Sequence, residues 1–503
     1  MFSAVGASLG RRAAPEASEA LLRLFGDCRS ALRSPAAARP EASTGVGGVG
    51  GVGGAGGEGA AGPSLAGATA LAGSGSEAVP SVGFSSVPTG RGSRSAHPGG
   101  AGGPEGSLAS FVARAAASPA PASIPPPPAL DWRGALAAMR AAGTPVPSGP
   151  DALVDSFGRA HRYLRVSLTE RCNLRCTYCM PAEGVELTPS PELLTPEETT
   201  RVVRAFAACG VDKVRLTGGE PTVRRDLVEV VRGIASVPGI RKVAMTTNGI
   251  VLERSLAKLR DAGLTGLNVS LDSLREDRFL ALARRPGLRR VLSAIDAAAE
   301  LGYAPVKVNV VVRRGVNDDE AVDFAKLVAG RPINVRFIEH MPFDGVAWRE
   351  RDMVPYAELL ARIEEGLGGK LRRLDDPKNE VARNYVIPDE LVEKATASAA
   401  PPPSSGPALL PPSPSGSMVS FVASMTAPFC AGCDRIRLMA DGNLKVCLFG
   451  ASEVSLRDAM REGCSDDDLR LLALAALGRK KKAHAGMHTL AKTMNRTMVR
   501  IGG

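Results

Sequence analysis

The sequence predicts an α/β fold: an open (βα)6 partial TIM barrel, preceded by a disordered N-terminal arm and followed by a C-terminal extension. Between residues 150 and 345, short β-rich runs alternate with helical patterns, and this alternation is typical of parallel sheets. The composition changes abruptly near Leu153, which marks the expected start of the folded part. Hydrophobic residues form 44% of the 503 residues, enough for a large core.

The predicted arm, residues 1–145, is rich in Ala, Gly, Pro and Ser. Runs such as VGGVGGVGGAGG and IPPPPA bury too little apolar surface to order themselves. Arg11 and Arg12 precede any acidic residue, a pattern similar to an organellar transit peptide. A disordered tail without a targeting role is the alternative, and Cys28 has no expected role. A chain that begins near Asp151 is expected to keep its activity.

Six β-rich runs alternate with helical patterns such as PEETTRVVRAFAACG. The candidate strands are YLRVSL (163–168), KVRLTG (213–218), KVAMTTNG (242–249), LNVSLDS (267–273), VKVNVVV (306–312) and INVRFIEHM (333–341). In barrels of this kind ligands bind at the carboxyl ends of the strands. The residues that follow each strand are therefore the candidates for a ligand site.

Three cysteines directly follow the first candidate strand. Cys172, Cys176 and Cys179 have the spacing C-x3-C-x2-C. Three thiolates leave one iron of a four-iron cluster without a protein ligand, and an open iron can bind a substrate or cofactor. A structural zinc site requires four protein ligands that leave no open position. A ferredoxin-type cluster with every iron bound by the protein requires four cysteines. The spacing therefore favours an open cluster over either alternative.

A second triplet, Cys430, Cys433 and Cys447, has the spacing C-x2-C-x13-C and no further cysteine nearby. Zinc with Asp434 or a histidine as fourth ligand is the structural alternative. Two three-cysteine sites in one chain instead suggest two open clusters, the second of them in the C-terminal extension.

The C-terminal extension, residues 346–503, is interrupted by a Pro/Ser-rich stretch at 394–418 that we interpret as a surface insertion. Cys209 and Cys464 stand alone and are expected to be structural. The run at residues 480–482, three lysines, is expected to be a solvent-exposed charge run.

Basic residues recur in the candidate strands. They are Arg165, Lys213, Arg215, Lys307 and Arg336. Such charges are costly inside a barrel unless they are paired or face a ligand. Placed at the barrel mouth, they predict a polyanion such as a triphosphate. Ion pairing with Glu220, Asp272 and Glu339 is the alternative.

The formal net charge of +10 also suits an anionic ligand. Aromatic residues are only 4% and no nucleic-acid motif is present, so nucleic acid is not the expected partner.

Small and polar residues end several strands. LTGGEP (216–221) ends the second strand with two glycines, which allow the backbone to approach a ligand closely. The other strand-end residues are Thr246, Asn248, Ser270, Asp272 and Met341.

The run ERCNLRCTYCMP, with Tyr178 before its last cysteine, and the motif LTGGEP resemble the radical S-adenosylmethionine enzymes. With both cysteine triplets, residues 150–503 resemble one family of these enzymes, the GTP 3′,8-cyclases of molybdenum cofactor biosynthesis. The motifs that carry the resemblance are LRVSLTERCNLRCTYCMP, KVRLTGGEPTVRRDL, MTTNG, LNVSLDSL, VKVNVVV, RFIEHMPFDG, FCAGCDRIRL and the terminal IGG.

The resemblance implies two 4Fe-4S clusters, S-adenosyl-L-methionine as cofactor and GTP as substrate. The implied cofactor contacts are Tyr178, Gly219, Ser270 and Met341. The implied GTP contacts are Arg165, Arg215, Thr246, Lys307, Arg435, Ile436 and Arg437, with Lys213 and Arg336 close by. The resemblance also implies that the first triplet supports reductive cleavage of the cofactor and that the second binds the guanine. The implied product is 3′,8-cyclo-7,8-dihydro-GTP, and the terminal double glycine is expected to reach into the barrel.

The resemblance also implies partners and a location. These are an electron donor, cyclic pyranopterin monophosphate synthase as the downstream enzyme, and the mitochondrial matrix. A homodimer is one option for the oligomeric state, and no membrane span is expected. Two other functions stay open at this point: another radical enzyme with an auxiliary cluster, such as a peptide-modifying one, and a non-catalytic metal carrier.

Overall fold

The computed structural model describes residues 129–344, 347–377, 379–397, 416–450 and 452–502. Its strands are β1 (Tyr163–Ser167), β2 (Lys213–Thr217), β3 (Lys242–Thr247), β4 (Gly266–Ser270), β5 (Val306–Val312), β6 (Ile333–Glu339), β7 (Arg372–Arg373), β8 (Arg383–Val386), β9 (Met418–Val422), β10 (Arg435–Leu438), β11 (Asn443–Lys445) and β12 (Glu453–Ser455). The predicted transit peptide, Cys28 and the central part of the predicted insertion lie outside these residues, as does Gly503.

The helices alternate with the first six strands and then continue through the C-terminal region. They are α1 (Trp132–Ala141), α2 (Pro196–Ala207), α3 (Leu227–Ala235), α4 (Leu256–Asp261), α5 (Glu276–Ala283), α6 (Leu288–Glu300), α7 (Ala321–Leu327), α8 (Tyr356–Leu367), α9 (Asp389–Ala397), α10 (Leu456–Arg461), α11 (Asp466–Gly478), α12 (Met487–Leu490) and α13 (Met498–Ile501). Short 3-10 helices cover Ser190–Glu192, Pro221–Val223, Glu253–Ser255, Asp318–Glu320, Glu350–Asp352 and Cys430–Gly432. Among the described helices, none is long and apolar enough to cross a membrane.

All the strands belong to one sheet, in the order β12-β11-β10-β1-β2-β3-β4-β5-β6-β9-β8-β7. Strands β1 to β6 are parallel neighbours in sequence order. This confirms the predicted open barrel of six βα units. Each strand ends within three residues of its predicted boundary, and β5 matches it.

The C-terminal region extends this sheet at both edges, which the sequence did not predict. Strand β9 pairs in parallel with β6, and β10 pairs in parallel with β1. The predicted boundary near residue 346 therefore divides the sequence but not the sheet. Segments on both sides of the boundary contribute strands to the same sheet. This arrangement brings the second cysteine triplet to the barrel itself.

Local sequence explains the elements that position the site. At the start of α2, the Thr195 side chain accepts a hydrogen bond from the Glu198 main chain, and the Glu198 carboxylate accepts one from Thr195. This capping box fixes where the helix begins. Along β5, every second residue is buried, starting at Val306, so the strand turns Lys307 and the residues in phase with it toward the barrel interior.

The predicted arm ends earlier than residue 145, because α1 lies within it and is folded. Leu136 and Met139 are buried in the main hydrophobic core. The Asp131 side chain accepts hydrogen bonds from the main chain at the start of the helix. Arg140 also forms an ion pair with Asp468 of α11 at 2.6 Å. The part of the arm from residue 129 onward therefore belongs to the folded unit.

The predicted bounds of the insertion also need correction. Helix α9 runs to Ala397 and β9 begins at Met418, so regular structure occupies both ends of the predicted 394–418 segment.

Candidate active site

One cavity of about 340 Å³ lies inside the barrel, and both cysteine triplets line it. Cys172, Cys176 and Cys179 follow the carboxyl end of β1, whereas Cys430 and Cys433 precede the amino end of β10. Strands β1 and β10 are parallel neighbours, so the two triplets lie at opposite ends of the sheet. A ligand in this cavity can therefore meet one triplet at each end.

The two glycines of LTGGEP allow β2 to pack against the loop that carries the first triplet. The Gly219 main chain donates to the Thr169 carbonyl at 2.7 Å, and the Glu220 main chain donates to the Arg171 carbonyl at 2.8 Å. A Cβ atom at Gly219 would lie 2.4 Å from the Arg171 carbonyl oxygen. Any side chain here would push the cysteine loop away, so the motif has a local structural reason in addition to its predicted cofactor role.

Burial opposes ionisation of the first three thiols. It raises the pKa of Cys172 and Cys176, and it raises the pKa of Cys179 to about 12, with further contributions from the neighbouring thiolates and Asp272. Three buried thiolates close together need a positive centre to neutralise them. The donor set therefore fits an iron-sulphur cluster.

Within the described ranges, no three His, Cys, Asp or Glu side chains gather closely enough to hold one ion. Tetrahedral zinc at about 2.3 Å from each sulphur requires the sulphurs to lie within about 4 Å of each other. Cysteines that bind different irons of a cluster need no such approach.

The predicted cofactor residues also line the cavity. They are Tyr178, Gly219, Ser270 and Met341. Asp272, close to them, accepts a hydrogen bond from the Val311 main chain at 2.8 Å. Burial raises the pKa of Asp272 to about 6, although the Val311 and Tyr178 hydrogen bonds oppose the rise.

The predicted cations form rows across neighbouring strands. In the register of β2, β1 and β10, the rows are Lys213–Tyr163–Arg435 and Arg215–Arg165–Arg437. All six side chains line the cavity. They lie at the amino ends and middles of the strands, deeper than the predicted barrel mouth. Ile436 is the exception, because its side chain is fully buried in the hydrophobic core. A ligand contact from Ile436 would have to come from its main chain.

Strands β5 and β6 supply the remaining cations. Lys307 and Arg336 line the cavity together with Thr246 and Asn248. Burial and the Arg336 charge lower the pKa of Lys307 to about 8. Burial likewise lowers the pKa of Arg336. These positive charges are therefore held in a place where their charged forms are not favoured.

The three carboxylates that could have neutralised these cations bind elsewhere. The Glu220 carboxylate accepts a hydrogen bond from the Asn248 main chain at 2.6 Å, and the Glu339 carboxylate accepts one from the Met425 main chain at 2.8 Å. Asp272 binds the main chain of β5. These hydrogen bonds of the three carboxylates go to main-chain groups and not to the five cations. Glu380, which the sequence analysis did not single out, lies 3.8 Å from Arg336.

The second triplet has a set of buried partners that sequence patterns did not reveal. Lys480, predicted to be solvent-exposed, is only 4% exposed. Its ammonium group contacts His161 Nε2 at 2.8 Å, the Arg435 carbonyl at 2.8 Å and Cys433 Sγ at 3.6 Å. Burial opposes ionisation of Cys433, but Lys480 and Arg435 outweigh it and lower the pKa of that thiol. The first lysine of the run is therefore part of the site.

The C-terminal tail enters the cavity beside β1 and β2. The Arg165 guanidinium donates to the Gly502 carbonyl at 3.0 Å. Gly502 has a φ of +78°, and a Cβ atom there would lie 2.5 Å from Thr217 Oγ1. Both the conformation and the space therefore require glycine at this position.

Comparisons with known proteins agree with this geometry. Residues 166–328 match the Radical SAM superfamily, and residues 333–486 match Molybdenum Cofactor Synthesis C. The mitochondrial GTP 3′,8-cyclase of Arabidopsis thaliana is 52% identical over 353 residues, which cover 70% of this chain and 84% of that protein. The chain belongs to the GTP 3′,8-cyclase family. It is therefore a radical S-adenosylmethionine enzyme, which uses S-adenosylmethionine and a 4Fe-4S cluster.

Other relatives of this cyclase differ in length. GTP 3′,8-cyclase of Rhodopirellula baltica is 39% identical, and the match covers 70% of this chain and 93% of that protein. Molybdenum cofactor biosynthesis protein 1 of Mus musculus is 48% identical, but the match covers only 51% of its length. Among solved structures, Streptococcus suis SuiB bound to S-adenosylmethionine matches 60% of this chain and 65% of that chain, with 15% identity and a TM-score of 0.41.

Proposed function

We propose that this protein converts GTP to 3′,8-cyclo-7,8-dihydro-GTP, the first step of molybdenum cofactor biosynthesis, with its substrate bound between the two cysteine triplets. One observation carries the proposal: both triplets and the two cross-strand rows of cations line a single cavity. This shared lining supports a site in which one nucleotide meets the cations and both thiolate sets. A metal carrier would not need this arrangement.

Each part of the cavity has a proposed task. Cys172, Cys176 and Cys179 hold the cofactor-cleaving cluster, which supplies the electron for reductive cleavage when it is bound. The second cluster is held by Cys430, Cys433 and Cys447. The proposed cofactor contacts are Tyr178, Gly219, Ser270 and Met341. The proposed GTP contacts are Arg165, Lys213, Arg215, Thr246, Lys307, Arg336, Arg435, Arg437 and the main chain of Ile436.

The protein contributes mainly position and charge. Arg165, Arg215 and Arg437 are buried or nearly so, so a triphosphate held there is shielded from water and its bonds to the guanidinium groups are strengthened. Binding the phosphates and the guanine at the same time limits the motion of the ribose between them. Restricting the reacting atoms in this way favours bond formation within one molecule.

The proposed cellular setting follows from the relatives. The Arabidopsis relative is mitochondrial by name, which supports the mitochondrial matrix as the location. We propose an electron donor as a partner, and cyclic pyranopterin monophosphate synthase as the downstream enzyme that consumes the product. We propose no interaction with nucleic acid, and a homodimer stays a prediction.

Anaerobic reconstitution with iron and sulphide, followed by addition of S-adenosylmethionine with and without GTP, tests the proposal. Cys176→Ser is expected to abolish 5′-deoxyadenosine formation. Cys433→Ser is expected to keep the first cluster but to lose GTP affinity and cyclised product. Cys464→Ser, which changes a cysteine outside the cavity lining, is the matched control. Unchanged GTP affinity in Cys433→Ser would assign the second triplet a structural role only.

A further inference from the structure

Glu380 places a carboxylate among the cations of the proposed polyphosphate site. Its Oε1 atom lies 3.8 Å from an Arg336 guanidinium nitrogen, too far for a hydrogen bond but close enough for strong attraction. Its charge also acts on Lys307 and Lys213. Burial disfavours the ionised carboxylate, but Arg336 and Lys307 outweigh burial and lower the pKa of Glu380. The carboxylate is therefore ionised at neutral pH.

The local main chain holds this carboxylate in place. Glu380 Oε1 accepts hydrogen bonds from the Val381 main chain at 3.0 Å and from the Ala382 main chain at 3.3 Å. These bonds fix the negative charge at its own loop, so it does not depend on Arg336 for its position. The charge is a permanent feature of the cavity wall, which Glu380 lines together with the cations.

The residue before Glu380 anchors this loop to the second triplet. The Asn379 carbonyl accepts a hydrogen bond from the Arg435 guanidinium at 3.1 Å. Asn379 adopts a φ of +79°, a left-handed conformation that asparagine tolerates better than most residues, and it lies against Gly432. Asn379 thus connects the chain before β8 to the segment that carries Cys430 and Cys433.

We propose that Glu380 is a binding-site residue that weakens the hold of this cavity on polyphosphate, so that the product can leave. The inference rests on the proposed function, in which the triphosphate is the same in substrate and product. Tight binding of an unchanged group lowers KM without accelerating the reaction, and it also retains the product. A fixed carboxylate beside Lys307 and Arg336 offsets part of that attraction through repulsion of the phosphates.

Equilibrium binding to the cluster-loaded protein, measured anaerobically, tests this role. The probes are inorganic triphosphate, GTP and guanosine, each with and without Mg²⁺. Glu380→Gln is expected to bind triphosphate and GTP at least about tenfold more tightly than wild type, which corresponds to about 1.4 kcal/mol. Guanosine is expected to bind both proteins alike. Glu390→Gln removes the same charge from an exposed position on α9 and is the matched control.

A kinetic measurement separates this role from a merely structural one. In Glu380→Gln we expect a lower KM for GTP, an unchanged single-turnover rate and slower multiple-turnover rate because product is retained. Glu380→Ala, with thermal denaturation of each variant, shows whether the loop itself is disturbed.

Equal or weaker triphosphate binding by Glu380→Gln overturns the inference. The inference is also overturned if Glu380→Gln binds triphosphate more weakly only when Mg²⁺ is present, because the carboxylate would then be a cation ligand. The proposed function fails by a separate result: the wild-type protein would bind inorganic triphosphate but would not bind GTP more tightly than triphosphate.

Discussion

At the scale of single residues, Lys307 is expected to make substrate binding depend on pH. Its pKa is about 8, below the ordinary lysine value, because burial and the Arg336 charge oppose protonation. The unfolded chain therefore binds more protons than the folded protein between about pH 8 and pH 10.5. As the pH rises through this window, Lys307 destabilises the folded protein less, so the free energy of unfolding increases. Polyphosphate binding is expected to weaken as the pH rises, because the proposed contact needs the charged ammonium group.

We therefore expect GTP affinity to fall as the pH is raised from 7 to 9, by up to about tenfold, since the protonated fraction falls by that factor one unit on either side of the pKa. Lys307→Arg stays charged over this range and is the matched control. Dissociation constants measured for both proteins at each pH provide the test. Parallel pH profiles for the wild type and Lys307→Arg would show that the Lys307 charge does not contribute to nucleotide binding.

Lys480 is a second residue whose role is visible only in the structure. Lys480→Met removes the charge that stabilises the Cys433 thiolate, and each unit of pKa increase lowers the thiolate fraction about tenfold. We expect slower alkylation of Cys433 in metal-free protein at pH 8, measured by mass spectrometry of the cysteine peptides. Lys481→Met, which changes an exposed lysine, should leave the rate unchanged. The same rate in both variants would contradict the assigned contact.

At the scale of elements, α1 decides where the folded unit begins. A chain that starts at residue 151 lacks Leu136 and Met139, which are buried in the core. Burial of such side chains stabilises by about 1.5–3 kcal/mol each. We expect this shorter chain to be less stable by about 3–6 kcal/mol than one that starts at residue 129. Chemical denaturation of both proteins checks this, and identical midpoints would show that α1 is dispensable.

The C-terminal tail is the second element with a testable role. Gly502→Ala introduces a Cβ atom 2.5 Å from Thr217 Oγ1, so the tail must shift and the Arg165 contact is lost. Misplacement of about 1 Å near a reacting centre can cost roughly a hundredfold in rate. We expect a comparable loss of cyclised product with both clusters retained. Gly486→Ala is the control, because its φ of +80° is similar but its surroundings are open. Normal product from Gly502→Ala would make the tail a passive end.

At the scale of the whole molecule, sequence patterns predicted what is local along the chain. The β5 run VKVNVVV has a two-residue period, and the strand lies where this period placed it. The six barrel strands and the two triplets were predicted for the same reason. The edge pairings of β9 and β10 were not, because they join residues far apart in sequence.

The same distinction holds for the site. Arg165 and Lys307 were found because a charge in a buried strand is unusual. Glu380 and Lys480 were missed because an acidic residue in a loop and a lysine in a basic run look like ordinary surface residues. Only the folding of distant segments onto one cavity gives them partners. The barrel mouth was predicted as the place of the cations, and their true depth depends on the register of β1, β2 and β10.

The central claim is that one nucleotide lies between the two triplets with its ribose beside the cofactor. GTP labelled with deuterium at C3′ tests it most directly. Under anaerobic turnover with S-adenosylmethionine, we predict that 5′-deoxyadenosine carries the deuterium and that cyclised product forms in equal amount. Unlabelled 5′-deoxyadenosine formed alongside intact GTP would contradict the claim, because the ribose would then not lie next to the cofactor.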